Sequence, residues 1–442
     1  MSADVRSRLA ALDRPVRDAL MVAGMMLGLY AVFWVVGSTL GYDASGIFSL
    51  FATLTLFVGV YALAVLALNL QWGYAGLFNI GVAGFLAVGA YSFGMLSGSP
   101  TGSPPGLGLP FVVGVVGAML VTAFVGLLTA FPALRLRADY LAIATLALSE
   151  IIRLTVLSRP ASEFTVGGVT LGTGGGQGYR NFPANPVDGL FETPVGDAIL
   201  VAADGIFGVT RQPVVEDFVY ALVVVCLVGV VYWLLSRTAN SPFGRVLKAI
   251  REDELVASSL GKDTRMFKVK VFMFGCALMG LCGVLWQVYG LNSVVPNTFR
   301  PDITFYIFIA LIIGGSGSNT GSVLGAGLFA GVLFLLPQNI NRLLGEVGFL
   351  QGISSPNSFA GAVGPLASLD VTPFVGYVLG NIDELRFVVV GVLLIYLMQR
   401  RPEGLLGHRI EPAAAVDLRT RPADHRPTAA DGGDSDGGDD DE

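Results

Sequence analysis

Charge is scarce in this chain: Asp, Glu, Lys and Arg make up 14% of its 442 residues. Lysine is the rarest of them, present only as Lys248, Lys262, Lys268 and Lys270. No basic stripe runs along a helix or loop, which excludes a nucleic-acid-binding surface. Histidine occurs only as His408 and His425, both beyond the last apolar run, so no histidine-centred catalysis or metal site lies among the apolar segments. Cys226, Cys276 and Cys282 sit inside apolar runs at no metal-ligand spacing and read as packing residues. A phosphate-binding loop is also missing. The single Gly-Lys pair, Gly261-Lys262, is followed by Asp263 and has Val256 where the first glycine belongs. No ATP site, metal or other cofactor is expected on this chain, and any ATP-driven work falls to another one.

Hydrocarbon fills the space that charge leaves. Hydrophobic residues make up 53% of the chain, and the mean hydropathy is +0.68. This composition predicts an all-α polytopic membrane protein with about ten transmembrane helices. The apolar runs lie at about 19–40, 47–70, 77–97, 110–132, 140–158, 217–235 and 271–290, with two more inside 303–336 and a last one at 385–399. Arg6, Arg8, Arg14 and Arg17 precede the first run, which is long enough to span and is read as retained. Basic residues crowd around 236–270, so that loop is placed in the cytoplasm, as are both termini. Segment 1–18 is then cytoplasmic, 19–405 is the membrane domain, and 159–216 and 338–384 are external loops. Segment 406–442 is a disordered acidic tail. That tail and the scarcity of lysine resemble proteins of salt-in halophilic archaea; the alternative reading is an ordinary disordered tail.

The most informative stretch is 241–261. Ser241 suits a helix N-cap, Pro242 the first helical turn, and Gly261 a helix stop. Phe243, Val246, Leu247, Ile250, Ala257 and Leu260 recur at helical spacing, interrupted by Arg251, Glu252, Asp253 and Glu254. Such a charged helix pair cannot sit in lipid and must meet water or a partner protein. It is either a docking device or a solvated loop that only sets topology.

Three further stretches carry signals. Residues 69–91 mix Asn69, Tyr74 and Asn79 with many glycines, which suits a broken helix lining a path or tight helix packing. Residues 135–153 place Glu150 and Arg153 one helical turn apart inside an apolar run. An intramembrane acid and base are functional candidates, and the plainer alternative is an internal pair that fixes packing. Gly317, Gly321 and Gly325 recur every four residues, as in a close helix-packing face.

The run Gly244-Arg-Val-Leu-Lys-Ala-Ile-Arg-Glu-Asp-Glu-Leu-Val-Ala-Ser-Ser-Leu-Gly261 resembles the coupling loop of branched-chain amino acid ABC transporter permeases of the LivM type. Leu255 stands where the general loop pattern of ABC importers has a glutamate. Asn69-Leu-Gln-Trp-Gly-Tyr-Ala-Gly-Leu77 is similar to an early block of the same family, with Val82 at a position often held by histidine. Leu136-Arg-Ala-Asp-Tyr140 is similar to a second block, with Ala138 in place of glycine.

The resemblance implies a non-enzymatic transport subunit. It also implies a LivH-type second permease, two ABC ATPases that carry ATP and Mg, and an extracytoplasmic substrate-binding protein. Gly244, Arg245, Ile250, Arg251, Glu252, Asp253, Glu254, Ala257 and Gly261 are then the ATPase-coupling residues. Replacing 252–254 with alanine is expected to uncouple the protein while leaving it in the membrane. The alternatives are a permease for urea or short amides, or a stand-alone ion-coupled transporter using Glu150 and Arg153.

Overall fold

Long uncharged runs become helices because lipid offers no partner for backbone N–H and C=O groups, and a helix pairs nearly all of them internally. The computed structural model of the chain describes residues 14–136, 138–180, 182–289, 293–346, 356, 358–368, 370–401 and 403–406. Its helices are α1 (Arg14–Thr39), α2 (Ala44–Leu68), α3 (Val82–Ser97), α4 (Phe111–Ala133), α5 (Ala138–Leu157), α6 (Pro194–Phe207) and α7 (Gln212–Ala239). Then follow α8 (Pro242–Glu252), α9 (Glu254–Ser259), α10 (Thr264–Val288), α11 (Pro301–Gly314), α12 (Asn319–Leu328), α13 (Leu336–Glu346) and α14 (Ile382–Arg400).

Among the described residues, seven helices are long and apolar enough to cross a membrane, and Val82–Ser97, Pro301–Gly314 and Phe387–Arg400 are shorter apolar helices. The protein is an all-α polytopic membrane protein. The short spans have a cause. With 16 and 14 residues, α3 and α11 reach about 24 and 21 Å, less than the ~30 Å of hydrocarbon. Each adjoins a stretch of non-helical backbone.

Helices α2 and α10 form the centre, with most of their side chains buried. α7 and α12 pack on α2, while α3 and α4 pack on α10. By contrast, α4 turns Val112, Val116, Leu120, Phe124 and Leu128 outward, a face suited to lipid. Glycine sets the closest crossing. A methyl group on Gly89 of α3 would overlap the backbone of Gly280 on α10. Gly89→Val is therefore expected to lower the melting temperature of the detergent-solubilised protein, since overpacking costs about 1–3 kcal/mol. Gly229→Val on α7, with nothing within 4 Å, should leave it unchanged.

The segments read as external loops contain structure. Within 159–216, β1 (Phe164–Val166) pairs antiparallel with β2 (Val169–Leu171), and α6 follows. β3 (Tyr179–Arg180) pairs with β4 (Ser293–Val294), which ties this region to the end of α10. Within 338–384 lie most of α13 and the short helices Phe359–Val363 and Thr372–Gly380. α1 starts at Arg14, inside the segment read as an N-terminal extension. Cys276 and Cys282 are buried as expected of packing residues, whereas Cys226 is exposed on α7. Both histidines and the acidic tail from residue 407 onward lie outside the described residues.

Candidate functional site

Two breaks in the helices meet at one end of the bundle. α2 loosens into a π-helical turn at Asn69–Tyr74, the chain runs non-helically to Gly81, and α3 resumes the helix. Between α11 and α12 the backbone turns at Gly315 (φ 104°) and Gly317 (φ 86°), in a region that favours glycine. Backbone groups freed at such breaks must be paired inside the protein. Gly317 N donates to Asn69 Oδ1 at 2.7 Å and Ile80 N to Thr145 Oγ1 at 3.0 Å. Ala83 N donates to Thr304 Oγ1 at 2.9 Å and Gly81 N to Asn79 Oδ1 at 2.9 Å.

Buried side chains join the two breaks. Asn69 Nδ2 donates to Asn319 Oδ1 at 3.1 Å, and Tyr74 O–H donates to the same oxygen at 3.2 Å. Asn319 Nδ2 reaches Ser236 Oγ near the end of α7, at 3.1 Å. Asn79 Nδ2 donates to Gln71 Oε1 at 2.9 Å, and Gln71 Nε2 to the Phe272 carbonyl at 3.0 Å. Thr320 Oγ1 donates to the buried Asp18 Oδ2 at 2.8 Å, which fastens α1 to the start of α12. Asn69 and Asn79 are wholly buried, Tyr74 nearly so, and all three spend hydrogen bonds within the chain. Gly321 and Gly325 do pack closely, against Gly314 and Ala310 of α11. Gly317 is not on that helix face; it makes the turn before it.

The charged helix pair docks on this junction. The Ser241 side chain caps α8 by accepting Gly244 N at 3.3 Å. Gly244 is required by space, because a Cβ there would meet the carbonyls of Thr238 and Ala239. α8 is amphipathic and buries Gly244, Leu247 and Ile250, while Phe243 stacks on Phe267 of α10 at 5.1 Å. At Asp253 the backbone leaves the helix (φ −155°, ψ 106°), and Asp253 then caps α9 by accepting Leu255 N and Val256 N at 2.9 and 3.1 Å. Ala257 is buried, and Gly261 (φ 76°) ends the pair.

Arg251 is the link between pair and junction. Its Nη1 donates to the Gly73 carbonyl, in the π-helical turn. Its Cγ and Cα line the space above Gly76, and the guanidinium reaches Gly317. Lys248 stands over the Tyr74 ring at 5.7 Å. Both cations thus sit at the C-terminal end of the long α2 helix, where unpaired carbonyls carry partial negative charge.

The residues read from the sequence as coupling residues therefore separate by role. Gly244, Ile250, Arg251 and Ala257 face the chain itself, and Asp253 caps α9. Glu254 forms an ion pair with Lys268 of α10. Arg245 and Glu252 are exposed. In the sequence Leu260 recurs at helical spacing with the apolar residues of the pair, yet it is 73% exposed. The break at Asp253 turns α9 so that Leu255, Val256 and Leu260, 78%, 55% and 73% exposed, form an apolar knob in solvent.

Glu150 and Arg153 lie elsewhere, on α5. They form a two-point ion pair, with Arg153 Nε to Glu150 Oε2 at 2.9 Å, and Arg153 Nη1 also donates to Asn297 Oδ1 at 3.1 Å. Among the described residues, no hydrogen bond joins this pair to the helix breaks. Sequence reasoning missed Asp18, Gln71, Ser236, Asn319 and the knob residues Leu255 and Val256. The signal for Asn319 was present, as an amide within a glycine block between apolar runs.

A family model described as "Branched-chain amino acid transport system / permease component" matches residues 49–338. The chain is 31% identical over 300 residues to the high-affinity branched-chain amino acid transport system permease protein LivM of Escherichia coli, covering 68% of this chain and 64% of that protein. The corresponding protein of Salmonella typhimurium gives the same identity and coverage. The chain thus spans 64% of the length of these bacterial relatives. A probable branched-chain amino acid transport permease protein LivM of Methanocaldococcus jannaschii is 28% identical over 325 residues, covering 67% of this chain and 85% of that protein. No solved structure matches the chain significantly.

Proposed function

The chain belongs to the branched-chain amino acid transport permease family, and from that premise we propose that it is the LivM-type membrane subunit of an ATP-driven amino-acid importer. The observation that carries this reading is the docking of the α8–α9 pair on the two helix breaks through Arg251. A surface pushed by a motor must be solvent-exposed on one side and fastened to mobile parts of the membrane domain on the other. α9 offers the first and α8 the second.

In this reading the α8–α9 end is cytoplasmic and both termini lie on that side. Two ATPases, which carry ATP and Mg, bind there. A LivH-type permease completes the membrane unit, and a substrate-binding protein delivers the ligand from outside. The binding protein selects the substrate, which by likeness to the relatives is a branched-chain amino acid. ATP binding closes the ATPases and moves α8–α9, and Arg251 carries that shift to the ends of α2 and α12. The cycle is a two-state shift driven by differential contacts.

The test is affinity capture of the tagged chain from its own membranes in high salt, with partners identified by mass spectrometry. Two ATPases and a second permease are expected. Recovery of the chain alone, intact and folded, would reject the importer assembly and return attention to Glu150 and Arg153.

A further inference from the structure

The end of the bundle away from α8–α9 holds a cleft of about 490 Å³, bounded by the α1–α2 turn, the start of α7 and the start of α13. This is within the size range of small-molecule sites. Asp43 and Arg211 face each other across its rim, with Oδ2 and Nη2 at 3.9 Å, too far for a hydrogen bond. Both side chains are more than half exposed, so each charge has unused capacity. The other Asp43 oxygen, Oδ1, is engaged in capping α2, accepting Gly46 N at 2.8 Å. Leu50, Val214 and Leu335 supply an apolar wall.

Asn339 is the independent sign of a ligand. It lines the cleft, and its side chain is more than nine-tenths buried. Its Nδ2 donates to the Leu335 carbonyl at 2.8 Å, but its Oδ1 has no hydrogen-bond partner. A buried acceptor left unpaired is costly, so a donor that reaches this oxygen from the cleft would be favoured. The cleft therefore presents an anion and a neutral acceptor for a cationic group, the guanidiniums of Arg211 and Arg342 for an anionic group, and an apolar wall beside them.

We propose that this cleft is a resting site for a free α-amino acid with an apolar side chain, its ammonium held by Asp43 and Asn339 and its carboxylate by Arg211. The proposal rests on the importer reading for its biological meaning, since the site would receive substrate at the outer end of the chain. Its test does not depend on that reading.

Binding of L-leucine to the full-length chain, reconstituted alone in lipid nanodiscs, is measured by equilibrium dialysis with labelled ligand. Saturable binding is expected. Asp43→Asn and Arg211→Gln should each weaken it about tenfold or more, as loss of a charge-assisted contact does. Asparagine can still cap α2, so the first variant keeps its fold. Leucinamide and 4-methylpentanoate, each lacking one charge, should bind about tenfold more weakly than leucine. Glu163→Gln, outside the cleft, is the control and should bind as wild type does.

No saturable leucine binding by folded wild-type protein would overturn the proposal. So would binding unchanged by both charge variants, or matched by both analogues, which would point to ordered water at Asn339 instead. A chain that captures its ATPases yet fails to bind leucine would remove this site alone and leave the importer reading standing.

Discussion

Arg251→Ala is expected to cut ATP-driven uptake by about tenfold or more while the ATPases remain bound and continue to hydrolyse ATP. The Gly73 carbonyl lies in the π-helical turn that ends α2, where carbonyls lack intrahelical partners, and Arg251 donates to it from α8. A charge-assisted bond of this kind contributes about 1.5–3 kcal/mol, which corresponds to about ten- to a hundredfold in an equilibrium between two states. Alanine also empties the space over Gly76 and Gly317 that the arginine stem and guanidinium occupy. Without the link, α8 still packs through Leu247, Ile250 and Phe243, so the chain should fold and assemble.

The readout is the ratio of leucine transported to ATP hydrolysed by the reconstituted assembly. Arg251→Lys restores the charge but not the forked reach, and should recover that ratio in part. Equal loss of transport and hydrolysis would show that Arg251 serves assembly, not transmission. An unchanged ratio in the alanine variant would remove Arg251 from the mechanism.

The membrane spans were legible because each is a long run of one physical kind, and hydrophobicity alone decides that a segment enters lipid. A break near 75–81 was one of two readings of its glycines and Asn79, beside tight packing, and the glycines at 315 and 317 fitted a tight turn between two apolar runs. What they join was not legible. Asn69 and Asn319 are 250 positions apart, and nothing local in either stretch names the other. Arg251 was legible as part of a charged run, and a charged run reads as a solvated or docking face. Its acceptor is a backbone carbonyl of another helix, which has no signature in sequence. Leu260 was misread for a different reason. Helical spacing counted across Asp253 puts Ala257 and Leu260 on one face, but Asp253 leaves helical geometry to cap α9, which buries Ala257 and leaves Leu260 exposed.

That exposure produces the second large effect. Leu255→Gln together with Leu260→Gln is expected to abolish capture of the ATPases while leaving the chain folded in its membrane. Both side chains are mostly in solvent, so the substitutions remove no packing within the chain, and glutamine keeps the length and helix propensity of leucine. Exposed leucines on a water-facing helix are unfavourable in the isolated subunit and become favourable once covered. Burying one against a partner contributes about 1.5–3 kcal/mol, so losing two weakens binding by about a hundredfold or more.

The acidic residues beside the knob behave differently. Glu252 is exposed at its rim, and rim charges mainly tune association rate and salt dependence. In the 252–254 alanine variant, loss of the Asp253 cap adds a separate destabilisation of α9 of about 1 kcal/mol. Co-purification of the ATPases with each variant separates the cases. Retention by the double glutamine variant and loss with Glu252→Ala alone would place the contact on the charges and reject the knob. Loss with the double variant and retention with Glu252→Ala is the expected pattern. It would mean that α9 binds its partner as a hydrophobic anchor while α8 and Arg251 carry the motion inward.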